Sequence, residues 1–179
     1  AARCLRAQDR GVAIEWQASE HATLRRALEF TPQFLTDQDD GFKFLRALLP
    51  PPERRALVLI DPPYEEPREE QRRVLEALAD SLLRFATGVY MLWFPLKTQR
   101  EADHWRSALR ATTDRPLLLA QLGVHPLDSR AGLNASGIAI VNPPYLLDTS
   151  MSQWLPQLHR MLDPETQGVA QLCMLPAGH

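Results

Sequence analysis

Short apolar runs alternate along this chain with stretches in which apolar residues recur every three or four positions. The first pattern predicts buried strands and the second helices with one covered face, so the chain is expected to be an α/β protein with helices on both faces of a sheet. Gly11 to Ile14 reads as a short strand ending at Glu15, and Ser19 is placed to cap a helix running to about Phe30. Gln33 to Thr36 suggests a second strand, and Phe42 to Leu49 a short helix stopped by Pro50-Pro51-Pro52. Ala56 to Ile60 is the clearest strand, followed by a helix from about Arg68 to Arg84 with Val74, Leu75, Leu78 and Leu82 on one face. Thr87 to Phe94 reads as a strand ended by Pro95, and Gln99 to Arg110 as a helix carrying Trp105 and Leu109 inward. Pro116 to Leu122 and Ile138 to Val141 are further strands, with a polar surface loop expected over His125 to Gly137. Met151, Trp154, Leu155, Leu158 and Leu162 mark a last amphipathic helix, and Gly168 to Leu175 a final strand. With no repeat, low-complexity tract or linker, the 179 residues are expected to form one domain.

Composition narrows the function classes. The formal net charge is only −2, so the chain as a whole is not a basic nucleic-acid coat. Lys43 and Lys97 are nonetheless the only lysines among 20 Lys and Arg residues. Arginine forks suit phosphates and bases, although an arginine-favouring coding bias accounts for the excess equally well. Cys4 and Cys173 form no close pair and the five histidines are scattered, so no metal and no disulfide is expected. Together with the lack of a long apolar stretch or signal peptide, this suits a cytoplasmic monomer with no membrane partner.

The candidate chemistry sits at Asp61-Pro62-Pro63-Tyr64, directly after the Ala56–Ile60 strand. Methyl transfer from S-adenosylmethionine (SAM) to an amino nitrogen on a base needs a corner of this kind. The amine lone pair is delocalised into the ring, so it is a poor nucleophile. An Asp oxygen and a proline carbonyl can each accept one N–H and favour the pyramidal nitrogen of the transition state. A tyrosine can stack on the extruded base, and proline fixes φ without adding a competing N–H. A pair of prolines after a strand can equally be a plain strand terminator. A second corner, Asn142-Pro143-Pro144-Tyr145, also follows an apolar strand. Position separates the two. Glu15 and Asp40 precede Asp61 at the spacing of successive strand–helix units, whose ligand crevice lies at the carboxyl ends of the strands. Glu15 is a candidate for the ribose hydroxyls of SAM or a solvated charge. Asp40 is a candidate for the adenine amine of SAM or a helix cap, and Gly41 for close backbone approach or a turn. Catalysis is assigned to Asp61, and Asn142 is read as a structural echo or a wall of the substrate cleft. Arg68, Arg72, Arg73, Lys97 and Arg100 are candidate phosphate contacts.

The run Arg54-Arg55-Ala56-Leu57-Val58-Leu59-Ile60-Asp61-Pro62-Pro63-Tyr64-Glu65 is followed, in order, by Arg84-Phe85-Ala86-Thr87-Gly88-Val89-Tyr90, Asn134-Ala135-Ser136-Gly137 and Trp154-Leu155-Pro156. Together with Leu48-Leu49-Pro50-Pro51 upstream, these resemble the RlmJ family of bacterial 23S ribosomal RNA adenine-N6 methyltransferases, over nearly the whole chain. The resemblance implies a Rossmann-like, class I SAM-dependent fold with an open, mostly parallel sheet, and methyl transfer to the N6 amine of an adenine in 23S ribosomal RNA. Asp61, Pro62, Pro63 and Tyr64 match the family's catalytic motif; Glu15, Asp40, Gly41 and Asp61 match its SAM contacts. The family's basic, His-containing opening and the Gly-rich turn after its first strand have no counterpart among these residues. The chain is therefore expected to be the C-terminal portion of a single catalytic domain, without its first, normally central strand and inactive by itself. The alternatives are a DNA adenine-N6 methyltransferase, since the corner recognises an amine and not a sugar, or a non-catalytic RNA-binding fragment.

Overall fold

The structure is a computed structural model and describes residues 2–130 and 132–178. The chain divides into two compact units at the junction of Leu49 and Pro50.

The first unit runs β1 (Gly11–Ile14), α1 (Ala18–Ala27), β2 (Phe34–Asp37) and α2 (Gly41–Leu48). β1 and β2 are parallel, with Gly11 opposite Phe34 and Ile14 opposite Asp37. A Cβ at Gly11 would meet the Phe34 ring at 2.5 Å, so a larger residue there would force that ring to move. The expected Ser19 cap is corrected. The N-cap of α1 is Gln17, with Ser19 inside the first turn. The Glu15 carboxylate accepts the Gln17 N–H at 2.8 Å and so turns the chain before Ser19 is reached. α2 ends where it must, because Leu49 precedes Pro50 and is driven to an extended backbone.

The second unit contains β3 (Leu57–Ile60), α3 (Pro67–Arg84), β4 (Val89–Leu96), α4 (Gln99–Thr112), β5 (Leu117–Gly123), β6 (Ala135–Val141), α5 (Leu147–Leu162) and β7 (Ala170–Leu175). The strands form one sheet in the order β3-β4-β6-β5-β7. Only β3 and β4 pair in parallel there; β4–β6, β5–β6 and β5–β7 are antiparallel. The α/β class is as expected, but the sheet is mixed where a mostly parallel one was expected. The physical cause is the connection between β5 and β6. Among its described residues there is no helix, and without a crossover the chain can only return antiparallel.

Tyr90, Leu92, Phe94 and Leu96 of β4 are buried at alternate positions, as one covered face of a strand requires. They share the core with Val74 and Leu78 of α3 and Trp105 and Leu109 of α4. The Tyr90 hydroxyl donates to the carbonyls of Ser81 and Phe85 and so ties β4 to the end of α3. On the other face Met151 of α5 packs with Leu118, Ala120 and Ile140, and with Met91 and Ile138 at its margin. α4 opens with a reciprocal capping box between Thr98 and Glu101.

Two boundaries differ instructively from expectation. β4 does not end at Pro95. The β3 ladder stops at Ile60 opposite Leu92, while β4 continues beside β6, with Pro95 opposite Ser136. Residues two apart turn their N–H to the same edge of a strand. The missing N–H of Pro95 thus falls on the edge of Trp93, where β3 has already ended, and no ladder bond is lost. β6 begins at Ala135, so Ala135 to Gly137 are strand and not loop. A Cβ at Gly137 would sit 2.1 Å from the Phe94 ring, so this glycine records close approach of backbone to an aromatic face.

Candidate active site

Asp61 to Tyr64 leave the carboxyl end of β3 and lead into α3. Asp61 and Pro63 are exposed and Pro62 is half-buried, so the corner is open at the edge of the sheet. Partial burial raises the pKa of the Asp61 carboxyl above its ordinary value. A carboxylate stripped of part of its water is a stronger acceptor for an amine N–H.

Tyr64 turns inward from the corner. Its residue is only 9% exposed. Its ring meets Trp93 edge-on at 5.7 Å and Trp105 edge-on at 6.2 Å. Its hydroxyl donates to the carbonyl of Trp93 at 2.7 Å. Burial, then the charges of Asp61 and Glu70, push its pKa far above the ordinary tyrosine value, so it stays a donor. The hydroxyl and the ring edges of Tyr64 are thus engaged by β4 and α4 in this conformation. The inward turn follows from the unpaired Trp93 carbonyl, one residue beyond the end of the β3 ladder, which needs a donor.

The second corner is a clasp and lies elsewhere. Asn142 has φ +53 and donates its side-chain N–H groups to the carbonyls of Ala86 at 3.0 Å and Gly88 at 2.8 Å. Because β6 runs antiparallel to β4, its end at Val141 lies opposite Tyr90, which in turn pairs with Val58. Asn142 thus sits at the opposite end of the strands from Asp61, roughly 13 Å away along their direction. It cannot wall the same cleft, which leaves the structural reading. Tyr145, 92% exposed, also lies at that far end. Asn142→Ala should cost about 1–3 kcal/mol, through two lost partners and the left-handed backbone. It should leave turnover per folded molecule unchanged. Urea unfolding beside a methylation assay would check both.

In the first unit Glu15 follows β1, and Asp37 ends β2 opposite Ile14. Parallel pairing therefore places Glu15, Asp37 and the Asp40–Gly41 turn at the same, carboxyl end of the two strands. Asp40 caps α2, its Oδ1 accepting the Phe42 N–H at 2.9 Å. Gly41 has open space where a Cβ would stand, so no packing or backbone constraint requires glycine there. Asp37, not among the residues expected from sequence, carries the same signal as Glu15, an acid at the end of an apolar strand. Asp61 belongs to the other unit.

Of the candidate phosphate contacts, Arg72 is committed to Glu69 and Glu76 on its own helix. Arg68, Lys97 and Arg100 are exposed. They follow the carboxyl ends of β3 and β4, and so share the sheet end of Asp61. Cys4 and Cys173 are free thiols. Among the described residues no group of three or more His, Cys, Asp and Glu is placed to hold a metal ion, and no helix is long and apolar enough to cross a membrane.

The family model described as RsmJ, "Ribosomal RNA large subunit methyltransferase D, RlmJ", matches residues 1–174. The chain belongs to this RlmJ family. It is 39% identical over 168 residues to ribosomal RNA large subunit methyltransferase J of Haemophilus influenzae, covering 94% of this chain and 59% of that protein. The Escherichia coli protein of the same name is 39% identical over 166 residues, covering 93% and 59%. The chain thus spans 59% of the length of these RlmJ relatives. Among solved structures, protein LPL1258 of Legionella pneumophila superposes with a TM-score of 0.84 at 28% identity, covering 99% of this chain and 64% of that one.

Proposed function

We propose that these residues are the C-terminal portion of a SAM-dependent methyltransferase catalytic domain that acts on the N6 amine of an adenine in 23S ribosomal RNA. The observation that carries the reading is the open Asp61-Pro62-Pro63 corner at the carboxyl end of β3, in a chain of the RlmJ family. In this reading the Asp61 carboxylate and the Pro62 carbonyl each accept one N–H of the adenine amine and hold its lone pair toward the methyl group. Asp61 then receives the proton that the methylated nitrogen sheds. Arg68, Lys97 and Arg100 contact the RNA backbone.

The cofactor supplies an electrophilic methyl on sulfur. The donor set in the first unit suits its polar groups. Glu15 keeps one carboxylate oxygen on the Gln17 N–H and offers the other to ribose hydroxyls. Asp40 and Gly41 flank an open space for the adenine of SAM, with Asp40 also serving as a helix cap. That these residues are part of a longer domain is supported by one face of β3, where Leu57 and Leu59 are 63% and 58% exposed. An apolar sheet face calls for a covering layer.

The test uses the full-length protein with radiolabelled SAM. Deproteinised 23S ribosomal RNA should be methylated, with label recovered as N6-methyladenosine, while duplex DNA stays unlabelled. Label on DNA alone would replace this reading with the DNA enzyme.

A further inference from the structure

Deepening the methyltransferase reading, on which it rests, we propose that Asn134 is a positioning residue: it fixes Lys97 at the sheet end of Asp61, where the Lys97 ammonium meets a phosphate of the acceptor RNA beside the extruded adenine. β4 outruns β3 at this end. The β3 ladder stops at Leu92, while β4 continues beside β6 to Leu96, opposite Ala135. Lys97 therefore stands roughly 13 Å beyond the level of Asp61 along the strand direction. The corner is a ledge, and the last residues of β4 with the first of β6 form a wall above it. A nucleotide whose amine reaches Asp61 carries its flanking phosphates along that wall.

Lys97 is exposed, yet the backbone groups on both sides of its Cα are held by side chains. Its N–H donates to Glu101 Oε2 of α4 at 2.7 Å. Its carbonyl accepts from Asn134 Nδ2 at 2.7 Å and from the Asp128 N–H at 2.9 Å. Asn134 itself is only 1% exposed. Its amide also donates to the Ser129 carbonyl at 3.1 Å, and its Oδ1 accepts the Ser129 hydroxyl at 2.6 Å. Its own N–H donates to the Leu96 carbonyl at 3.1 Å. β5 closes up behind it, since a Cβ at Gly123 would stand 2.5 Å from the Asn134 carbonyl. An exposed turn can leave its carbonyl to water. A buried amide that reaches it instead fixes the Lys97 Cα, the root of a long and otherwise flexible side chain. A compact ammonium on a fixed root suits a single phosphate oxygen.

The test compares Lys97→Gln, Asn134→Ala and the double variant in the full-length protein, at a temperature where circular dichroism shows each fully folded. Turnover, KM and binding of deproteinised 23S ribosomal RNA are measured over a series of KCl concentrations. Lys97→Gln should raise KM by about threefold to tenfold and flatten the fall of log affinity with log salt by about 0.7–0.9, the share of one phosphate. Asn134→Ala should raise KM in the same range with a similar flattening, while kcat stays within about twofold. The double variant should bind no worse than Lys97→Gln alone, within about twofold, because both changes remove one contact. A merely structural asparagine leaves the salt slope parental and adds its loss to that of Lys97→Gln, and either result overturns the proposal, as does parental binding by Lys97→Gln. Ser129→Ala, which removes the hydroxyl that orients Asn134, carries the same comparison if Asn134→Ala does not fold. Asp61→Ala serves as the control. If it retains parental turnover, the methyltransferase reading itself has failed. If it is inactive while Asn134→Ala binds RNA as the parent does, only the role of Asn134 has failed.

Discussion

Replacing Asp61 with alanine in the full-length protein is expected to cut methyl transfer by at least about a hundredfold, the usual cost of removing one preorganised polar group that acts on the transition state. Asn in its place keeps an acceptor oxygen and should lose less, although it cannot take up the proton. Stability should move the other way. Burial raises the folded-state pKa of Asp61. Above that pKa the ionised carboxylate therefore costs folding free energy, and the cost disappears as pH falls below its unfolded value. At neutral pH Asp61→Ala should be as stable as the parent or more so, with the difference fading in acid. Radiolabel incorporation and thermal unfolding at several pH values check both halves. Unchanged turnover in the alanine variant would remove Asp61 from the chemistry.

Trp105→Ala carries the largest expected loss of stability. Trp105 is 6% exposed, lies face-on against Phe94 and edge-on against Tyr64, and belongs to the core shared by β4 and α4. Truncating a buried tryptophan costs about 3–5 kcal/mol, from lost apolar transfer and the cavity left behind. That is a large part of the whole stability of an ordinary domain. Urea unfolding should show a lower midpoint at an unchanged slope. Trp105→Phe should lose less than half as much. An alanine variant with a parental midpoint would mean that the Phe94–Trp105–Tyr64 contacts hold little together.

Much of the fold was legible one element at a time. The apolar run ending at Ile60 and the periodic faces of α3 and α4 identify themselves by period, because a strand or helix must bury the face it presents. Asp61 was legible for the same reason: a polar head and two prolines end an apolar run abruptly. Errors fell where a local signal has two meanings. Pro95 reads as a strand end, yet it lies in β4 because its edge carries no ladder. Gly137 reads as loop, yet it lies in β6 because Phe94 covers it. Ser19 reads as a cap, but Glu15 had already turned the chain.

The linear order of residues by itself determined the α/β class, the polar corner that ends the Ile60 strand and the acid after the first strand. Each of these depends on neighbours in the chain. Only the tertiary structure decided that β6 runs against β4, and hence that two nearly identical corners stand at opposite ends of the sheet. It also decided that Tyr64 turns inward to the Trp93 carbonyl and Asn142 to those of Ala86 and Gly88. The reason is physical. Strand direction and side-chain partners are set by which backbone groups are left unpaired once the sheet has formed, and no local pattern encodes where those groups will lie.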